Sequence, residues 1–471
     1  MSRPPVLVRM YRDLLGDCFL LTIGDPKAER SARAHILIDC GVLQHVPGEA
    51  DLMKAVAEDL RKTVGGYVDL LVITHEHWDH ISGFSHARSE LIDTLEIKQL
   101  WLAWTEERGD PQADALRAKS TGAKEVIARL DEIPGGRAAT AGLADFTGAT
   151  AGKLRSTDII PALIARAEKT GAIDYLEPGQ VLPTPGPLSL RANVLGPPRR
   201  MDRITKDLPT QGAPETYLAG DLAAGLAHRY AMADALSSAL ESRGDGPFDR
   251  AYRLTPDEVR DGQGDDCNWL RARYFDKQQA WRTVDDDWLD AGGALALKLD
   301  SDTNNTSLVL AFELEAGGDV LLFAADAQVG NWLSWHDQSY PFPAQAGSHS
   351  VTARELLGRT IFYKVGHHAS HNATLEDLGL ELMTHPKMCA MIPVVEAEAR
   401  RVKNGKAVHR GWNMPFPDLY TRLLEKTGKR VLRGDAEAGC GPGPDNKVIC
   451  KDKAFLSRVE STDLYHELRL Q

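Results

Sequence analysis

Apolar and polar positions alternate in VLVRMY (Val6–Tyr11), run together in FLLTI (Phe19–Ile23) and run together again in AHILIDCG until Asp39. Residues 6–41 therefore predict three strands joined by tight turns. Leu52, Val56, Leu60 and Val64 recur at every fourth position, the spacing of an amphipathic helix, and Gly65 and Gly66 stop it. Val68, Leu70, Leu71, Val72 and Ile73 then form an apolar run of strand length. KQLWLAW (Lys98–Trp104) predicts the next strand, and the Ala-, Glu-, Arg- and Lys-rich stretch 105–175 predicts a helical excursion. LSLRANVLGPP (Leu188–Pro198) returns to strand. Further on, ALALKL (Ala294–Leu299), SLVLAFEL and DVLLFAADA read as successive strands, and TIFYKV as another. Between these halves lies a polar segment, 199–293, with acidic stretches DGQGDDCNW and VDDDWLDAGG. Its length suits either a lid over a site or an interface.

The turn after Ile73 carries the chemistry. His75, His77, Asp79 and His80 fall within six positions at the carboxyl end of a buried strand, where a rigid element fixes the first loop residues. His75 and His77 point to the same side of an extended chain and can grip one ion; Asp79 and His80 lie where the chain turns and can reach a second. Imidazole with carboxylate suits Zn²⁺, Mn²⁺ or Fe, whereas magnesium or calcium sites are mostly oxygen. Trp78 either walls this site or packs locally.

HxHxDH at this position resembles the signature of metallo-β-lactamase-fold hydrolases. The nearest resemblance is to the hydrolase domain of ComEC-type competence proteins and its soluble relatives. It extends to GDCFLLTIG (Gly16–Gly24), HILIDCG (His35–Gly41), NNTSLVL (Asn304–Leu310), DVLLFAADA (Asp319–Ala327) and KVGHHAS (Lys364–Ser370). The fold it implies is α/β: an αββα four-layer sandwich of two mixed sheets flanked by helices, with a large insertion. Residues 1–198 would form its first half, 199–293 the insertion, 294–437 the second half, and 438–471 a C-terminal tail. PFPDLYTRLLEKTGKRVLRGD resembles the family's closing helix and strand. By the same resemblance Asp326 bridges two ions, His367 binds the second ion and His368 contacts substrate. Asp39, at the end of the third strand, is either a partner for a ligand histidine or a turn cap. The chain departs from the pattern in Ala325 and Ala369, which stand where relatives have glycine. Many relatives also place a further histidine before the bridging aspartate, and here that interval holds only His86 and His228.

Composition changes the picture little. Hydrophobic content of 43% and charged content of 26% are those of an ordinary globular chain. A net charge of −12 excludes a general electrostatic grip on nucleic acid. Locally, however, ten Lys or Arg stand against Asp418 and Glu425 between Arg400 and Arg433, which leaves a phosphate-facing surface open beside the alternative of a solvated basic face. The six cysteines include no CxxC pair. No apolar run approaches the roughly 20 residues of a membrane span, and the start has no signal-peptide layout, so a cytoplasmic chain without membrane contact is expected.

The resulting expectation is a hydrolase with two divalent ions, zinc first, that uses metal-activated water. His75, His77, Asp79, His80, Asp326 and His367 would hold metal, with Asp79 and His368 acting in catalysis. A phosphodiesterase or nuclease-like activity is the first reading. A lactone, ester or β-lactam hydrolase is the second, and a non-catalytic binding protein that kept the fold is the third.

Overall fold

The computed structural model describes residues 4–131, 144–147, 156–210, 215–217, 259, 261–273, 296–341, 350–401, 410–438 and 450–470. His228, Cys440, the VDDDWLDAGG stretch and most of the 199–293 segment lie outside the described residues.

Strands β1 (Val6–Tyr11), β2 (Cys18–Ile23) and β3 (Ala34–Cys40) pair antiparallel. Helix α1 (Glu49–Val64) then crosses to β4 (Leu70–Val72), which joins β3 in parallel; β5 (Gln99–Ala103) joins β4 in the same sense. The short α2 (Trp78–Ile81) lies in the turn after β4. Beyond β5 come α3 (Pro111–Asp131), α4 (Ala144–Thr147) and α5 (Ser156–Thr170), and β6 (Ala172–Leu176) then returns to the sheet. Among its described residues the excursion expected over 105–175 is mainly helical until its last ones, which form a strand parallel to β5.

A second sheet is built from β7 (Val181–Pro183), β8 (Arg191–Gly196), β9 (Val309–Glu313), β10 (Val320–Phe323), β11 (Thr360–Lys364), β12 (Cys389–Ile392) and β13 (Val431–Arg433). Its spatial order simply reverses the chain order, from β13 to β7. In the first sheet, β14 (Val459–Ser461) and β15 (Tyr465–Leu470) add an edge beside β1, giving β14-β15-β1-β2-β3-β4-β5-β6. The end of the chain therefore enters the first sheet, with Val6 opposite Leu470.

The two sheets face each other. Phe19, Ile38, Val72 and Trp101 of the first meet Val194, Leu310, Phe323 and Phe362 of the second in one buried cluster. Phe19 and Phe323 meet edge to face, with ring centroids 5.8 Å apart. On the opposite face of the first sheet, Leu20, Leu37 and Leu71 pack with Met53, Val56 and Leu60 of α1. Apart from Thr22, FLLTI is apolar because successive side chains enter these two different cores. Arg9 breaks the apolar pattern of β1 and is satisfied by Asp59 of α1 and Glu467 of β15.

One predicted strand is a helix. Residues 296–305, here α6, are helical, and they include most of ALALKL. Ala, Leu and Lys are strong helix formers, and a short alternation does not separate the two periods. Side chains four apart bond along α6: Lys298 Nζ donates to Asp302 at 2.6 Å, and Asn304 Nδ2 to Asp300 at 3.1 Å. Helices α7 (Val329–Trp335) and α8 (Pro417–Lys426) complete the second half. Among the described residues no helix is long and apolar enough to cross a membrane.

Candidate metal centre

The histidine-rich turn is held from behind by Asp39. This residue ends β3 in the left-handed region, at φ 54°. Its carboxylate accepts the Thr74 N–H at 2.8 Å and the Thr74 hydroxyl at 2.6 Å, and lies 2.8 Å from His80 Nδ1. Asp39 thus follows the first of its two readings, as the partner of a ligand-type histidine. In the neutral ring, a proton held on Nδ1 by this carboxylate leaves the His80 Nε2 lone pair facing the site.

Two glycine loops brace the same turn. The Asp17 N–H donates to the Asp79 carbonyl at 2.9 Å, and the Gly41 N–H to the Asp17 carbonyl at 2.9 Å. A Cβ added to Gly41 would lie 2.2 Å from the Asp79 carbonyl oxygen, and one added to Gly16 would lie 2.6 Å from it. The GD and CG pairs of the sequence therefore serve close backbone approach.

Polar groups converge in front of the turn. His75 Nε2 lies 3.0 Å from His77 Nδ1. His80 Nε2 lies 3.1 Å from Asp326 Oδ2 and 3.6 Å from Asp79 Oδ2. Asp326 follows β10, and its Oδ1 accepts the His367 N–H at 2.9 Å. His368 Nδ1 lies 2.7 Å from the Pro393 carbonyl, which can only accept, so the proton sits on Nδ1 of the neutral ring. Its Nε2 then points at Asp79 Oδ2, 3.0 Å away.

Two groups of potential ligand atoms result, His75 with His80 and Asp326, and Asp79 with Asp326 and His368; within each, all atoms lie within 4.8 Å of one another. Asp326 is common to both. A third such group, Asp17 with Asp39 and His80, lies behind the turn. Among the described residues, neither His77 nor His367 joins such a group. His77 Nε2 faces Asp300 Oδ1 at 3.9 Å, and His367 Nδ1 lies 2.8 Å from the Ser370 hydroxyl.

The backbone around KVGHHAS is forced into unusual conformations. Ala325, His367, His368 and Ala369 all have positive φ, 44° to 62°. Two of these are the alanines that stand where relatives have glycine, and a Cβ is costly in that region.

Burial and charge set the protonation. Burial holds His75 well below the ordinary histidine value, His77 at about 4 and His367 at about 3, so all three rings are neutral near pH 7. Burial also opposes the charged form of His80, but Asp326, Asp17, Asp79 and Asp39 together carry its pKa well above the ordinary value. His368 is raised too: its bond to Asp79 and the charge of Asp326 overcome burial. Asp326 is held well below the carboxylate range against burial, chiefly by His80 and Lys364. Lys364 is itself buried, paired with Asp17 and 3.4 Å from Asp326 Oδ1.

The side chains fit divalent ions. Asp79 Oδ1, Asp326 Oδ2 and His80 Nε2 are buried with no hydrogen-bond partner, and buried polar atoms are otherwise almost always satisfied. The two carboxylates facing one another are costly unless a cation lies among them, a protonated His80 or a metal ion in its place.

Sequence reasoning missed several neighbours. Phe146 of α4 stands 5.6 Å from the His77 ring and stacks on Trp412 at 5.0 Å. Asp145 pairs with Arg410 at 3.2 Å and with His45 at 3.1 Å, which fixes α4 beside the site. The aromatic wall is thus Phe146, whereas Trp78 is buried against His86 with rings 5.9 Å apart. Nothing in an Ala-rich stretch singled out Phe146. Asp300 was hidden by reading its segment as a strand.

Residues 28–156 match the family model described as the metallo-beta-lactamase superfamily. The matched stretch contains Asp39 and the whole HxHxDH turn and ends well before Asp326 and His368. No curated protein matches the chain.

Proposed function

We propose that the chain is a metal-dependent hydrolase with two divalent ions, acting on a phosphodiester, in an αββα four-layer metallo-β-lactamase fold. The observation that carries this reading is the pair of donor groups sharing Asp326, each with buried atoms lacking partners. His75 and His80 would serve one position and Asp79 and His368 the other, with Asp326 between them and His77 beside His75. Ions bound there would lower the pKa of water toward neutrality and offset charge developing on the scissile group.

The chain's own groups divide the remaining work. His368, with its proton on Nδ1 and Nε2 on Asp79, suits a ligand better than a proton donor. His367, neutral and near the Phe146 ring, suits the substrate-facing role, the reverse of the assignment by resemblance. Asp39 and Lys364 orient and balance the ligand set without touching substrate.

The basic run narrows the substrate. Arg400, Arg401, Arg410, Arg422, Lys426, Arg430 and Arg433 all pair with carboxylates. Seven of the run's ten cations are so engaged, which favours a small phosphodiester over a nucleic-acid strand. A second reading, an ester or lactone, is favoured by the apolar Phe146–Trp412 wall.

The test is metal content of protein purified without chelator, with turnover of bis(p-nitrophenyl) phosphate and of a simple lactone by wild type and Asp79→Ala. Two ions per chain and phosphodiester turnover lost in the variant are expected. Lactone turnover alone selects the second reading, and absence of bound metal overturns both.

A further inference from the structure

Two cavities lie outside the metal centre. The first, of about 50 Å³, is enclosed by α3, α6 and the turn that follows β5. The second, of about 200 Å³, lies between α3, α5 and the same turn. Glu76, Glu106, Arg117 and Ser120 line both, so the two meet there. Leu116 of α3 and Leu299 of α6 give the first cavity an apolar side, and Thr105 lines it as well.

Most charged groups around the first cavity are already engaged. Glu76 accepts Lys124 Nζ at 2.7 Å and the Ser120 hydroxyl at 3.1 Å. Arg117 donates to the Thr105 and Glu107 carbonyls and to Asp114. Lys298 is held by Asp207 and Asp302, and Lys119 has a partner too. Glu106 is different: among the described residues no hydrogen bond or ion pair holds it. The hydroxyl of its neighbour Thr105, a residue only 4% exposed, likewise has no partner. Buried polar groups are almost always satisfied, so a carboxylate and a hydroxyl left unmatched side by side call for a molecule that brings donors.

We propose that this cavity binds a small primary amine, its ammonium on Glu106 and the Thr105 hydroxyl and its aliphatic body along Leu116 and Leu299; the assignment is independent of the metal-dependent reading above. An ammonium carries three donors on one compact head, which suits two acceptors that are neighbours in the chain. A metal ion would need several free oxygens, and Glu106 is the one uncommitted carboxylate among the described residues lining the cavity. An anion would meet Glu106 while the surrounding cations are occupied. Size sets the body: a cavity that holds benzene measures about 150 Å³, so 50 Å³ admits only a few carbon atoms. Burial and Glu76 raise the Glu106 carboxyl to about 7, and above that pH its charge stands without a counter-ion. The other titratable groups facing it are Arg117 and Lys124 of α3, Lys298 and Asp302 of α6, and Tyr175 of β6.

The experiment titrates the full chain at pH 8 with n-propylamine, n-propanol and propionate, following each probe by its NMR line width. Wild type should bind propylammonium with a roughly millimolar dissociation constant, at least about tenfold tighter than propanol, and propionate not at all. Glu106→Gln should bring the amine down to the level of the alcohol, and Thr105→Val, of nearly the same shape, should weaken it several-fold. At pH 6, where Glu106 is mostly protonated, wild type should bind the amine roughly tenfold more weakly than at pH 8. Leu116→Phe fills the cavity and should abolish binding of amine and alcohol alike; thermal melting of each variant controls for folding, and if Leu116→Phe does not fold, Glu106→Gln decides. Amine binding unchanged in Glu106→Gln would mark diffuse attraction to an acidic chain and overturn the site. Equal affinity for amine and alcohol, or no binding by wild type, would overturn it as well. Tighter binding of N-acetyl-lysine amide than of propylammonium would overturn a free amine as the occupant in favour of a protein side chain.

Discussion

His368 Nε2 lies 3.0 Å from Asp79 Oδ2 although 289 positions separate the two residues in the chain. The contact joins the turn after β4 to the turn after β11, so each half of the site is incomplete without the other. Asp79→Asn and His368→Gln should each weaken the same ion roughly 100-fold or more. Because they act on one position, the double variant should lose little beyond the worse single one. Isothermal titration with Zn²⁺ on the four proteins measures this, and additive losses would separate the two residues.

Lys364 stands between two buried carboxylates, Asp17 and Asp326. Lys364→Met removes the ammonium that both share, leaving them to His80, and should lower the stability of metal-free protein by about 3–5 kcal/mol, the usual cost of breaking a buried pair from one side. Adding Asp17→Asn should recover part of that loss. Urea unfolding of the two variants and wild type reads both effects.

Glu106 supplies a pH signature away from the metal residues. Burial and the neighbouring Glu76 raise its carboxyl from its ordinary 4.5 to about 7 against the pull of Arg117 and Lys124. As pH rises, the unfolded chain gives up this proton first, so the group costs stability progressively between about 4.5 and 7, and fully above that. Glu106→Gln should therefore melt above wild type at pH 8, with the difference shrinking toward pH 4. A constant difference across that range would remove Glu106 as its source.

Gly41→Ala places a methyl 2.2 Å from the Asp79 carbonyl oxygen, against rigid backbone. Overpacking of this kind costs about 1–3 kcal/mol or more, and metal binding should fall with it because Asp79 must move. Gly48→Ala is the control: its Cβ would meet nothing within 4 Å, and only its φ of 73° is at stake. Calorimetric melting should rank Gly41→Ala well below Gly48→Ala.

What could be read from the sequence follows physical range. The HxHxDH turn is legible because its donors are near neighbours on one strand end. β2 and β3 are legible because both faces are buried and each carries a run of at least three apolar residues. Between His367 and His368 the sequence offers no distinction; consecutive left-handed residues turn the second toward Asp79, and only the folded backbone reveals which. Asp300 depends on α6, whose ALALKL start fits strand and helix alike. YHELRL, read as part of a C-terminal tail, buries His466, Leu468 and Leu470 in alternation with more exposed neighbours once folded as a strand. Its pairing with β1 across the whole sequence left no local signal.

The contact of Gly16 and Gly41 with the Asp79 carbonyl also governs how this site can vary by descent. Three separate loops meet there without an intervening side chain, so a substitution in one is tolerated only if the others shift with it. Divergent sequences should therefore keep the GD and CG pairs even where the ligands themselves have changed. Those small residues would trace the lineage after the chemistry has been lost.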